Sequence, residues 1–311
     1  MKQIAIGPEK NPRSAVVQGC MRIANLSEEA LDRLIKTDLE NGVTFFDNAD
    51  IYGQTACETL FGKVLARQPE LRDKITLQTK LGIIRVNDEL EKAYNLSKEY
   101  ILKTVDASLK RLQTDHLDYL LLHRPDALVE PQEVAEAFEQ LHEQGKVLHF
   151  GVSNHNPYQI ELLKKYVQQP LEVNQLQLSI AFTGMIDAGL NVNMTVNGAV
   201  NRDGGILDYC RLNDITIQAW SPFQYGFVKD VFLNNPKFPG LNKIIDEIAA
   251  KYGVSNNAIA VAWILRHPAN LQVILGTTNV TRATESAKGA DLELTRDEWY
   301  DIYRAAGNEL P

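Results

Sequence analysis

The sequence predicts a single-domain (β/α)8 barrel, an α/β fold in which a closed parallel sheet is wrapped by helices. Three observations carry that expectation. Short apolar runs alternate with amphipathic stretches eight times along the chain. Several of the runs end on polar, reactive residues, namely Asp47, Lys80, His123, Asn154 and Gln175. In a parallel barrel the strand C-termini gather at one face, where such enzymes hold their active sites. Finally, 311 residues exceed one average domain but suit one barrel spanning the whole chain, 1–311.

The elements follow in order. The segments KQIAI and RSAVV, separated by GPEKNP, read as an N-terminal β-hairpin that plugs the barrel floor. Residues Ala15–Arg22 form the first apolar run. Ser27–Asn41 places Leu31, Leu34, Ile35 and Leu39 on one helical face, with Ser27 as N-cap and Asn41-Gly42 as the stop. VTFFDNA is the second strand, Thr55–Arg67 a helix with Leu60, Val64 and Leu65 inward, and ITLQTKLG the third strand. Ser97–Leu112 is amphipathic, and the nearly continuous apolar run LDYLLLH suits a strand buried on both faces. Pro131–Gln144 begins with proline in its first turn. VLHFGVSN, the helix Pro157–Tyr166, LEVNQLQLS, the short helix Gly205–Asn213 and ITIQAWSPF come next. The helices Leu241–Tyr252 and Asn256–Arg266 then precede the last strand, LQVILGTT. Thr183–Gly205, rich in Asn and Gly, is long for a βα connection and reads as either a substrate lid or a wandering loop.

Composition narrows the function classes. Apolar residues at 44% and charged ones at 23% are ordinary for a globular protein and exclude disordered and fibrous classes. No apolar stretch approaches the roughly 18 residues of a membrane span, and MKQIAIGPEK lacks the apolar core of a secretory signal, so a cytoplasmic location is expected. A net charge of −8 disfavours binding to nucleic-acid phosphates. Cys20, Cys57 and Cys210 are far apart and lack metal-ligand spacing, which suggests reduced thiols. Cys57 is either a reactive thiol, if exposed, or a small residue on a helix.

Several short motifs carry a resemblance. FDNADIYG, the lysine of LQTK, LLHRPD, GVSN, VNQ and AWSPF together resemble the aldo-keto reductases along the whole chain. The coupling of LDYLLLHRPD with GKVLHFGVSN is similar to a bacterial branch of oxidoreductases within that family. The resemblance implies a (β/α)8 barrel, NADP(H) as cofactor and a small-molecule carbonyl substrate, in a monomer or weak homo-oligomer.

It also assigns Asp47, Tyr52, Lys80 and His123 as catalytic, and the chemistry accounts for the choice. Carbonyl reduction needs a general acid beside the developing alkoxide, and Tyr52 is the candidate. A free tyrosine titrates at about pH 10, so a downward shift is expected. An ammonium about 4 Å away favours phenolate by up to about 4 kcal/mol at an effective dielectric of about 20, and Lys80 supplies one. Asp47 keeps that lysine charged, and His123 orients the carbonyl. No metal is called for. Two other readings stay open: a nucleotide-sensing binding protein with vestigial turnover, and a Schiff-base lyase using Lys80.

On the cofactor side, Ser153, Asn154 and Gln175 suit the donor and acceptor of a nicotinamide carboxamide. Trp220 is expected to stack on the ring, with ordinary barrel core as the alternative. Ser221, Pro222, Phe223, Gln224 and Gly226 correspond to a loop the family drapes over the pyrophosphate. No GxGxxG follows the first strand, which disfavours a Rossmann dehydrogenase. Gly276 stands where many family members carry lysine. Thr277, Thr278 and Arg282, at the start of the next helix, are therefore expected to hold the 2′-phosphate. Glu285 either contacts adenine or caps an exposed helical face. Gly19, Cys20, Met21 and Arg22 end the first strand and should border the nicotinamide or substrate.

Overall fold

The computed structural model describes residues 1–85, 92–227 and 229–310. The chain opens with an antiparallel hairpin, β1 (Gln3–Ile6) and β2 (Asn11–Ser14). The first barrel strands are β3 (Val16–Gly19), β4 (Phe45–Asp47) and β5 (Thr76–Leu81). A second antiparallel hairpin follows, β6 (Ile83–Arg85) with β7 (Lys92–Tyr94). The barrel continues with β8 (Leu117–Leu122), β9 (Val147–Ser153), β10 (Leu171–Gln177), β11 (Thr216–Trp220) and β12 (Leu271–Leu275). These eight parallel strands close in the order β3-β4-β5-β8-β9-β10-β11-β12 and back to β3, as the sequence predicts.

The helices are α1 (Glu28–Glu40), α2 (Ala56–Arg67), α3 (Lys98–Leu112), α4 (Pro131–Glu143) and α5 (Pro157–Lys164), then α6 (Gly184–Leu190) and α7 (Ile206–Leu212). After them come α8 (Pro239–Tyr252), α9 (Asn256–Arg266), α10 (Val280–Ala287) and α11 (Arg296–Ala305). The predicted cap forms, with the Ser27 side chain accepting from the Ala30 amide, and Ser97 caps α3 by accepting from the Tyr100 amide. Asn156 and Gln159 close a capping box at α5.

The lumen is graded from floor to mouth. Phe45 lies 5.4 Å from Tyr119, which stacks on His149 at 4.8 Å and donates to Glu172 at 3.2 Å. The first hairpin covers this end: the Ala15 amide donates to the Lys2 carbonyl, and Asn270 Nδ2 donates to the Ala5 carbonyl. Above the aromatic layer the lumen turns polar. Gln78 on β5 donates to Gln218 on β11 at 2.9 Å, and since these strands stand opposite one another the bond crosses the barrel.

Three elements differ from the expectation. The hairpin β6–β7 interrupts the third βα unit. The stretch 183–205 is neither a bare lid nor a wandering loop, because α6 forms within it. That helix is tied to the C-terminal segment: Asp187 accepts from the hydroxyls of Thr183, at 2.9 Å, and Tyr303, at 2.6 Å. The helix α11 closes the far side, with Trp299 stacked on Trp263 at 4.8 Å and each indole N–H donating to the other residue's carbonyl. Among the described residues, no helix is long and apolar enough to cross a membrane.

Asp38 on α1 is buried, and its Oδ2 has no hydrogen-bond partner among the described residues. Burial pushes its carboxyl up to about 8. The group is therefore protonated in the folded protein at neutral pH and ionised in the unfolded chain. This proton uptake on folding makes its contribution favourable at acid pH, and the contribution fades as pH rises towards 8. Asp38→Asn should thus raise the unfolding free energy by about 1–3 kcal/mol at pH 8. At pH 5 the gain should be much smaller, with denaturant melts at the two pH values as the check.

Candidate active site

Asp47 is the last residue of β4 and Lys80 the fifth of β5, and the register Asp47 to Gln78 puts both on the lumen side near the mouth. Lys80 Nζ donates to Asp47 Oδ1 at 2.6 Å, to Oδ2 at 2.7 Å and to the Asn48 carbonyl at 2.9 Å. Lys80 is wholly buried and Asp47 nearly so. Burial alone would strip the proton from Lys80, but the Asp47 carboxylate and the Tyr52 phenol outweigh it and hold the ammonium above its ordinary range. A charged lysine locked on a carboxylate is no Schiff-base nucleophile, which removes the lyase reading.

Tyr52 follows β4 in a short turn, half-buried, with Lys80 Nζ 4.9 Å from its ring centroid. His123, just past β8, meets the Tyr52 ring edge-on at 5.9 Å and 84°. The four predicted catalytic side chains thus come together. The expected electrostatics do not hold in this unliganded state. Burial raises the Tyr52 phenol above its ordinary value; Lys80 opposes the shift, and Asp47 adds to it. Loss of water around the phenol is the leading cause; the nearby Lys80 ammonium lowers it, but part of that effect is cancelled by the Asp47 carboxylate it pairs with.

The predicted cofactor residues divide. Ser153 Oγ donates to the Gln175 carbonyl at 3.0 Å, and Asn154 Nδ2 donates to Ser153 Oγ at 2.7 Å. Asn154 sits just past β9 with φ 60°, and its Oδ1 accepts from the Trp220 indole at 3.3 Å. Trp220 is half-buried at the end of β11, outside the closed core, with Phe227 edge-on at 6.2 Å. Ser221, Pro222, Phe223, Gln224 and Gly226 form the loop beyond it. This loop is pinned where Ser179 Oγ donates to the Gln224 carbonyl and where Gln224 Nε2 donates to the Lys229 carbonyl.

At the end of β3, Gly19 has a packing reason. A Cβ there would sit 2.9 Å from Ile274 Cγ2 and 3.0 Å from the Leu275 carbonyl oxygen, so glycine permits the close approach of β3 and β12. Cys20 is buried, and its thiol is pushed well above the ordinary range by burial first and Asp47 second. Its side chain is closed off from solvent in this unliganded state. Met21, next in the chain, is exposed. Cys57 is buried against the Met21 carbonyl with its thiol raised by burial, as a small packing residue would be.

At the end of β12, Gly276, Thr277 and Thr278 are half-buried ahead of α10, whose cap Asn279 accepts from the Arg282 amide at 3.0 Å. Arg282 Nε donates to Thr277 Oγ1 at 3.3 Å. Sequence reasoning passed over Arg22 as a cation: its Nη1 lies 3.9 Å from where a Gly276 side chain would begin. Neither guanidinium has a carboxylate partner among the described residues. Glu285 pairs with Lys288 at 2.6 Å, as a residue on an exposed helical face does. Also passed over were Gln78, Gln218 and Gln272, all buried in the lumen. Their signal was available: polar amides inside strands that are otherwise apolar.

The sequence profile of the aldo/keto reductase family matches residues 15–306. The chain belongs to the aldo/keto reductase family. It is 34% identical to a 6-dehydroglucose reductase of Agrobacterium fabrum and 34% identical to the oxidoreductase YdhF of Escherichia coli, each over the full length of both chains. Among solved structures it is similar to a thermostable aldo-keto reductase bound to the inhibitor epalrestat, with TM-score 0.79, 24% identity, and coverage of 98% of this chain and 100% of the other. It is likewise similar to a Klebsiella pneumoniae aldo-keto reductase in complex with NADPH, with TM-score 0.77, 22% identity, and coverage of 97% and 94%.

The buried pair gives one prediction independent of any ligand. Asp47→Asn keeps the shape but leaves the Lys80 ammonium without its counter-charge, so unfolding free energy should fall by about 3 kcal/mol. Chemical denaturation checks this, and a loss below about 0.5 kcal/mol would show that the pair does not hold the mouth together.

Proposed function

We propose that this protein is an NADP(H)-dependent reductase converting an aldehyde or ketone to an alcohol. The observation that carries the reading is the convergence of Asp47, Tyr52, Lys80 and His123 on one mouth, from three different strand ends. The residues present also fit the cofactor. Two guanidinium groups with no carboxylate partner among the described residues, Arg22 and Arg282, lie near Gly276 where the family's usual lysine is missing, and they supply the positive charge a 2′-phosphate requires. Gln175 spends its amide N–H groups on Asp47 and Gln218, at 3.2 and 3.0 Å, which leaves Oε1 to accept from a carboxamide. Ser153 and Asn154 stand beside it, and the half-buried face of Trp220 suits ring stacking.

When bound, NADPH supplies the hydride for the carbonyl carbon. The remaining work belongs to the chain. His123 orients the carbonyl oxygen towards Tyr52, and Tyr52 gives up its phenolic proton as negative charge builds there. With its phenol raised, Tyr52 stays protonated through the neutral range and is always loaded as an acid. Lys80 then acts chiefly on the phenolate as it forms, a stabilisation that is larger in the transition state than in the ground state. A relative named 6-dehydroglucose reductase supports sugar-derived aldehydes as one substrate class to assay.

Tyr52→Phe removes the proton donor without touching Ser153, Asn154, Gln175 or Arg282. Turnover of small aldehydes should fall by about 10³-fold or more, while the NADPH dissociation constant from fluorescence titration stays within about twofold. Full activity in the variant would overturn the assignment. Tight NADPH binding by the native protein with no aldehyde reduced would point instead to a nucleotide-sensing protein.

A further inference from the structure

Four buried glutamines, Gln78, Gln175, Gln218 and Gln272, line the lumen directly below the catalytic mouth. Each primary amide has two N–H donors and an acceptor oxygen. Gln78 Nε2 donates to Asp47 Oδ1 at 2.6 Å and to Gln218 Oε1 at 2.9 Å. Gln175 Nε2 donates to the same two oxygens, at 3.2 and 3.0 Å. Asp47, Gln78, Gln218 and Gln175 therefore form a closed ring of hydrogen bonds. Gln218 turns its own Nε2 to Gln78 Oε1 at 3.1 Å and Gln272 Oε1 at 2.9 Å, and Gln272 Nε2 ends the chain on the Ser14 carbonyl at 2.8 Å.

The ring leaves each amide one orientation. Turning Gln175 over would set its Oε1 against the Asp47 carboxylate and Gln218 Oε1, two acceptors facing a third. The lumen thus decides which atom Gln175 shows to the mouth. At the same time Asp47 Oδ1 is held by two amide donors besides Lys80, which fixes the carboxylate and with it the direction of the ammonium.

Resting on the reductase reading above, we propose that Gln78 and Gln218 are positioning residues. They couple the Asp47–Lys80 pair to Gln175 through one hydrogen-bonded ring, so that general acid and nicotinamide site are set in register by the same buried amides. Neither touches the substrate. Gln78 acts through Asp47, and Gln218 acts through both Gln78 and Gln175. The ionisable groups facing Asp47 are Lys80 from β5, Tyr52 from the turn after β4 and Cys20 at the end of β3, with His123 beyond Tyr52. Without the Gln78 donor, the carboxylate's charge is less compensated, so the Tyr52 proton is held more tightly.

The test compares three holoenzyme variants, Gln78→Met, Gln218→Met and Gln272→Met, by Tm, NADPH titration and the pH profile of alcohol oxidation with NADP+. That direction needs the Tyr52 phenolate, so the limb on which its rate rises with pH reports the phenol. Gln78→Met should lower kcat about tenfold and move the limb to higher pH, with NADPH affinity within about twofold. Gln218→Met should do the same and also weaken NADPH about threefold or more, because Gln175 loses its anchor. Gln272→Met, which touches neither Asp47 nor Gln175, should lower Tm alone. Gln78→Glu keeps the shape and sets a second carboxyl against Asp47; it should move the limb the same way and serves if Gln78→Met does not fold. Loss of Tm in all variants, with kcat, limb and affinity unmoved, would overturn the proposal. A native protein inactive towards every aldehyde would remove the reductase reading, while the NADPH affinity of Gln218→Met would still decide the ring.

Discussion

A lysine and an aspartate shut away from water at the mouth of the barrel are the constraint on which the site depends. Their attraction must offset the desolvation of two charges, and it does so because both Asp47 oxygens, the Asn48 carbonyl and two glutamine amides satisfy the hydrogen-bonding groups between them. Everything nearer solvent is arranged against that fixed charge pair. Tyr52 lies along the ammonium, His123 along Tyr52, and Gln175 takes its orientation from the same carboxylate.

Such a pair is a weak means of lowering a resting pKa. The ammonium lowers the phenol, but the loss of water around Tyr52 together with the Asp47 carboxylate outweighs it. It is well suited to a different task. Charge that appears on the phenol oxygen only as the proton leaves meets a cation already in place, with no solvent to reorganise. On the proposed reductase reading, the tyrosine is a weak acid at rest and a stabilised anion at the moment of transfer.

Much of this was legible in the sequence, and the limits have physical reasons. FFD, LQTK and LLLH could be placed because an apolar run stopping on a charge is expensive anywhere but at a functional strand end. The eight-fold alternation gave the barrel for the same reason that its strands are apolar on both faces. The glutamine ring was not seen, since a single polar residue within a strand reads as its solvent side and only closure of the barrel turns Gln78 towards Gln218. The helix α11 and the hairpin β6–β7 fall outside the eight-fold β/α count, although Trp299, Ile302 and Tyr303 of α11 recur at helical spacing on its buried face. Arg22 escaped notice because its meeting with Gly276 joins opposite ends of the chain. The direction of the Tyr52 shift depended on desolvation, which a list of charges cannot supply.

The most direct test of the central claim is the titration of Tyr52 itself, followed by NMR of ring-labelled tyrosine in the unliganded protein and assigned with Tyr52→Phe. The account predicts a phenol titrating above its ordinary value of 10.0, still protonated where free tyrosine has begun to ionise. A Tyr52 that ionises near neutrality in the unliganded protein would contradict it, and would return the lysine to the role of lowering the resting acid.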